Sequence, residues 1–153
     1  MRPILVLWLA GVACSHRAPP DMPVSGATAA DDAALQNALR ACTVKARASY
    51  PDVKRRFIAG LPAGQTLAIT VELVEGSAKE QLFVTVERIS GEEITGRISN
   101  TPVALRSHKY GDVVVLREAE LLDWTVVRRD GSEEGNLRGK FVDAIQAGRT
   151  PQC

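Results

Sequence analysis

The residues in this sequence that could do chemistry are few and scattered. A nucleophilic side chain needs a base, and beyond the N-terminal segment the chain has one histidine, His108, beside Lys109 in a stretch that reads as surface loop. No Gly-x-Ser-x-Gly elbow, phosphate-binding glycine loop or His-x-x-x-His pair occurs. Paired carboxylates at Glu92-Glu93 and Glu133-Glu134 have the composition for acid–base work. Both pairs have Gly neighbours at turns and read as solvated hairpin tips. Asp112 and Asp123 are better placed, and their plainer roles are to hold a turn and to orient the region of Trp124. Trp124 reads as core or rim packing or as a partner contact, since buried aromatics anchor many interfaces. Trp124, Tyr110 and Asp123 are therefore the candidate contact residues. No catalytic residue, cofactor or metal ligand is assigned. Cys14, Cys42 and Cys153 lie too far apart to have ligand spacing.

The cysteines say more about compartment than about catalysis. Residues 1–13, MRPILVLWLAGVA, begin with a positive Arg2 and continue as an uncharged, mostly apolar run. That run is well short of the ~20 residues needed to span a bilayer. Gly11, Val12 and Ala13 make a small-x-small cleavage pattern, and Cys14 follows. The tetrad resembles a bacterial lipobox, with Gly11 where that motif usually has Leu. The expectation is an exported protein with a signal peptide over residues 1–13, lipid on Cys14 and a periplasmic, membrane-anchored domain. Residues 14–30 are rich in Pro, Ala, Ser and Gly and read as a tether; His16 within it reads as solvated. With Cys14 lipidated, Cys42 and Cys153 form an even pair for an oxidising compartment. The alternative is a buried Cys42 thiol and a free terminal Cys153.

Residues 31–153 read as one α+β domain. Of 153 residues, 45% are apolar and 24% charged, and the net charge is +1. That balance and the low aromatic content give no basic field or stacking platform for nucleic acid. Leu35, Leu39, Cys42 and Ala46 recur at helical spacing, which predicts a helix over 31–48 with Asp31 or Asp32 at its start. Tyr50-Pro51 is expected to break it, and a short second helix is expected over 52–59, ended by Gly60. Lys54-Arg55-Arg56 reads as a solvated face.

The period then changes to two. Leu67, Ile69, Val71 and Leu73 form one strand, Leu82, Val84 and Val86 a second, and residues 94–99 a third. Asn100-Thr101-Pro102 ends this meander, and Tyr110-Gly111-Asp112 turns into a strand over 113–116. Residues 117–122 read as one helical turn or a bend, residues 124–128 as a strand with Asp130-Gly131 as its turn. Leu137, Phe141, Val142 and Ile145 suggest a terminal helix over 136–147, with Gly139 weakening the pattern. The predicted architecture is an N-terminal helical segment packed on an antiparallel sheet of about five strands, with a C-terminal helix.

The order of Glu80, Phe83, Gly96, Asn100, Pro102, Tyr110-Gly111-Asp112, Asp123-Trp124 and the Gly135–Gly139 segment resembles the YegJ-like bacterial domain over residues 65–142. Phe83 stands where that family often has Trp, and Leu121-Leu122 where it has Ile-Ser. The resemblance implies a fold and no catalytic residue. A vaguer likeness is to immunity-protein domains of bacterial toxin systems. The expected function is a non-enzymatic, lipid-anchored binding domain for an envelope protein or other envelope component. The rival expectations are an inhibitor of a toxin or lytic enzyme, and an enzyme using Asp112, Asp123 or His108.

Overall fold

The computed structural model describes residues 29–153, with side chains from residue 33 onward. The expected signal peptide, Cys14 and the tether with His16 lie outside the described residues. Helix α1 spans Ala29–Ala38 and α2 Arg40–Ala59. Strands β1 (Thr66–Glu75), β2 (Ala78–Ser90), β3 (Glu93–Ile98) and β4 (Val113–Arg117) follow. A short 3-10 turn at Glu118–Glu120 leads to β5 (Leu121–Val127), β6 (Glu133–Gly135) and α3 (Leu137–Gln146). The six strands form one sheet in the order β4-β3-β2-β1-β5-β6, antiparallel throughout. The class is α+β, with one strand more than expected. That strand, β6, has three residues, Glu-Glu-Gly, too few to show alternation.

The expected helix break at Pro51 is corrected: α2 runs straight through it. Cys42, Ala46, Tyr50 and Val53 occupy one face and are all buried. A proline inside a helix costs about 3 kcal/mol. Each large apolar side chain buried on that face returns about 1.5–3 kcal/mol, so an uninterrupted stripe wins. The change of helix comes instead at Leu39, and even there the ladder persists. Leu39 N donates to Leu35 O and Leu39 O accepts from Thr43 N. Helix α1 begins at Ala29, so Asp31 and Asp32 fall inside its first turn.

The core follows the period-two pattern. Ile69 is paired with Val84 on one side and Trp124 on the other, and Val84 with Ile98. These residues, with Leu67, Val71, Leu82 and Val126, are packed with Ala46, Tyr50 and Val53 of α2. Gly96 lies against β2, where a Cβ would collide with Thr85 O and Val84 Cγ1. The β1–β5 register shifts between Thr70 and Val71, which face Asp123 and Leu121. Leu122 is the extra residue of that bulge.

The crossover from β3 to β4 is held by carboxylates rather than by a ladder. Asn100 Oδ1 accepts from Phe83 N at 2.8 Å, replacing a main-chain partner as β3 ends. Glu80 accepts from the amides of Val103 and Ala104, both 2.8 Å, and Leu105, 3.2 Å. Glu75 accepts from the amides of Arg106 and Ser107, both 2.9 Å, and from Ser107 Oγ at 2.7 Å. Five consecutive amides are thus satisfied by the β1–β2 hairpin, and Leu105 reaches the core.

Helix α3 docks on the start of α2. Leu39, Cys42 and Phe141 form a second small core, flanked by Leu35 and Val142. A Cys42–Cys153 disulfide closes it, with a Cα–Cα distance of 4.8 Å. Arg138 is buried beside it. Its guanidinium donates to Gln36 Oε1 at 2.8 Å, Thr43 Oγ1 at 3.0 Å and Gln81 Oε1 at 3.1 Å. One side chain therefore ties α1, α2, β2 and α3 together.

Candidate groove beside Trp124

Trp124 is set by its strand register opposite Ile69 and then fixed by α2. Its Nε1 donates to Ala46 O and to Ser49 Oγ, both at 3.0 Å. Gly135 packs on the ring. It has φ +79°, and a Cβ there would collide with Trp124 O and the indole carbons, so only glycine suits this position. Trp124 is 7% exposed, and that remnant opens into a shallow groove of about 430 Å³ that Ser49, Asp52, Val53 and Arg55 also line. Through Arg56 and Glu134 the groove runs on into a second depression of about 320 Å³ beside Leu61, Pro62 and Arg128.

Its charge is concentrated at that junction. Arg56 holds Glu134 in a two-pronged pair, Nη2–Oε1 2.6 Å and Nη1–Oε2 3.1 Å. Arg128 Nη2 reaches the same Oε2 at 3.2 Å. The Arg56 hydrogen bonds hold the Glu134 carboxyl below the usual range and raise Arg56 in turn. Two guanidinium groups share one carboxylate, so the junction carries surplus positive charge and donors. Glu133 and Glu134 are accordingly corrected from a hairpin tip to strand β6. The Lys54-Arg55-Arg56 run is not left to solvent alone: Lys54 pairs with Glu118, Arg55 with Asp52 and Arg56 with Glu134.

Asp123 points away from the groove and is 1% exposed. Its Oδ2 accepts from Arg138 N at 2.6 Å and its Oδ1 from Trp124 N at 2.8 Å. It caps the start of α3 together with Asn136, whose side chain accepts from Gly139 N. A Cβ on Gly139 would meet that Asn136 oxygen, so the glycine that weakens the helix pattern makes room for its cap. Asp123 is thus a buried cap and offers nothing to a partner. Burial pushes its carboxyl up, and the Arg138 and Trp124 amides pull back. A carboxyl raised on folding contributes stability that is full below its unfolded value near 4 and is lost as pH rises through the folded value. Against an Asp123→Asn variant, the wild-type chain is therefore expected to lose relative stability as pH rises above about 4. The variant itself should be less stable by about 1–3 kcal/mol, because its amide turns a donor towards a buried N–H. Urea unfolding of both proteins across that range checks the sign; a flat difference would exclude it.

The other sequence candidates are dispersed. Tyr110 is 66% exposed in the turn before β4, and β3, β2 and β1 stand between β4 and β5. Asp112 accepts from Lys109 N at 2.9 Å and holds that turn. His108 is half-buried on the crossover, close enough to Glu75 for their charges to interact. Asp112, Asp123 and His108 share no pocket. Among the described residues no group of three or more His, Cys, Asp or Glu is arranged to hold a metal ion. No described helix is long and apolar enough to cross a membrane. Sequence reasoning missed Arg128, Ser49 and the buried Arg138, whose partners lie far along the chain.

The fold is a single α+β domain with a shallow groove beside Trp124 that carries Arg56 and Glu134 at one end. The chain belongs to the DUF2314 family, described as an uncharacterized protein conserved in bacteria, and the family model matches residues 32–146. The match takes in most of α1, all of α2 and α3, and the whole sheet. No curated protein and no solved structure matches the chain.

Proposed function

We propose that this protein is an exported, lipid-anchored binding domain that captures a protein or other component of the bacterial cell envelope, using the groove beside Trp124. The carrying observation is the Cys42–Cys153 disulfide. Such a bridge persists in an oxidising compartment and is rare in the bacterial cytoplasm. It agrees with the signal-like residues 1–13 and the lipobox-like Gly11–Cys14. The groove chemistry suits a partner segment that presents a carboxylate beside an apolar side chain. The apolar part lies on the exposed edge of Trp124, and the carboxylate meets Arg56 and Arg128.

Intact mass of the protein from fractionated cells, with and without reductant, tests the compartment. The expected species begins at Cys14, carries acyl mass and gains two hydrogens on reduction. A full-length, unmodified chain in the soluble cytoplasmic fraction would overturn the reading. Cross-linking in envelopes tests the groove. Arg128→Glu, a partly exposed position, is expected to weaken capture at least about tenfold, or about 1.4 kcal/mol, without loss of fold. Equal capture by the variant would exclude the groove.

A further inference from the structure

Strand β4 ends the sheet, and no described strand pairs with its outer edge. It opens with Val113, Val114 and Val115, of which Val113 is 51% and Val115 59% exposed. Exposed edges invite pairing, and folds usually guard them with charge, proline or a bulge. None of these interrupts β4 before Arg117. The pairing with β3 shows which backbone groups are uncommitted. Gly96 faces Val114 and Ile94 faces Leu116. Ile98 N donates to Asp112 O and Glu118 N to Glu92 O. Even-numbered residues therefore turn their N–H and C=O towards β3, and Val113, Val115 and Arg117 turn theirs outward. The Arg117 amide is taken by Glu120 Oε2 at 2.6 Å. Val113 and Val115 are left with both their backbone groups facing out.

We propose that β4 pairs antiparallel with β4 of a second copy of this chain, Val113 opposite Val115 of the other copy, joining the two sheets edge to edge. In this register each valine exchanges both main-chain hydrogen bonds with its opposite, and every outward group of Val113 and Val115 is used. The exposed valine side chains then lie side by side across the seam, which removes apolar surface from water. The ends also match in charge. An antiparallel seam brings the segment before β4, with the exposed Lys109, to the segment after the other β4, with the exposed Glu120, while Glu118 stays paired with Lys54 of its own copy. A strand from an unrelated protein would meet the same backbone groups, but this charge match at both ends lies within the chain itself. A twofold contact uses the same patch twice and closes at two copies.

Sedimentation of the purified chain with its disulfide intact, over a wide concentration range, reads the association directly. Amide exchange at Val113 and Val115 is followed in parallel. The expected result is a reversible monomer–dimer equilibrium, with both amides slowing as the dimer forms. Val115→Pro removes an outward donor, which an edge strand bears, and is expected to weaken the dimer at least tenfold with the unfolding midpoint retained. Val115→Lys leaves the backbone intact and is expected to weaken it in the same direction; Val115→Ile should retain it. A single copy at all concentrations, a dimer indifferent to both Pro and Lys, or a dimer whose Val113 and Val115 amides exchange freely would each overturn the proposal.

Discussion

Trp124→Ala is expected to destabilise the protein by about 3–5 kcal/mol, the range for removing a large aromatic from a packed interior. Trp124 bridges layers that share no local sequence. It is paired with Ile69 in the sheet, hydrogen-bonded to Ala46 O and Ser49 Oγ of α2, and covered by Gly135 at the end of β6. Alanine leaves a cavity between helix and sheet that the surrounding Val53 and Ile69 cannot close. It also removes both hydrogen bonds from the indole Nε1 to α2. Trp124→Phe keeps most of the volume and loses the Nε1 donor, so it should cost less, about 1–2 kcal/mol. Urea unfolding at fixed pH separates the two variants. Equal costs would mean that the hydrogen bonds matter and the volume does not. Because this residue supports the fold, loss of partner capture in Trp124→Ala would not by itself assign it a contact, and Arg128→Glu is the cleaner probe of the groove.

Reducing the Cys42–Cys153 bridge is expected to have an effect of similar size. The two cysteines are 111 residues apart, and the chain-entropy model assigns a loop of that length about 4–5 kcal/mol. The bridge sits in the second small core with Leu39 and Phe141, and it ties the chain end to the start of α2. Unfolding midpoints with and without reductant, together with a Cys42→Ala, Cys153→Ala double variant, measure the loss. The reduced protein and the double variant should agree closely, since both lack the cross-link. A midpoint unmoved by reduction would show that the cross-link does not constrain the unfolded chain. Amide exchange should localise the change to α3, whose remaining anchors are the Asp123 cap and Arg138.

Much of the sheet was legible because its pattern is local. Leu67, Ile69 and Val71, and Leu82, Val84 and Val86, alternate cleanly, and one buried face forces that alternation. The turns between these strands place Gly76 and Gly91 at positive φ, which glycine adopts without a side-chain clash. Strand β6 escaped because it gains its place from the Val126–Glu134 and Val127–Glu133 pairs, not from its own residues. Pro51 misled for the opposite reason. Its local penalty is real, but it is outweighed by a stripe of buried side chains on both sides of it.

The sequence by itself determined the class of fold, the change from helical to strand period and the even count of cysteines in the folded part; whether Cys42 and Cys153 form a bridge was decided only by the structure. The first three rest on spacing, composition or count, which neighbouring residues carry. Only the tertiary structure decided that Asp123 is a cap for α3, that Glu134 is shared by Arg56 and Arg128, and that the odd-numbered residues of β4 face an open edge. Each depends on which distant segments become neighbours. A carboxylate looks the same in sequence whether it will accept from buried amides, answer two arginines or remain in water, and long-range packing makes that choice.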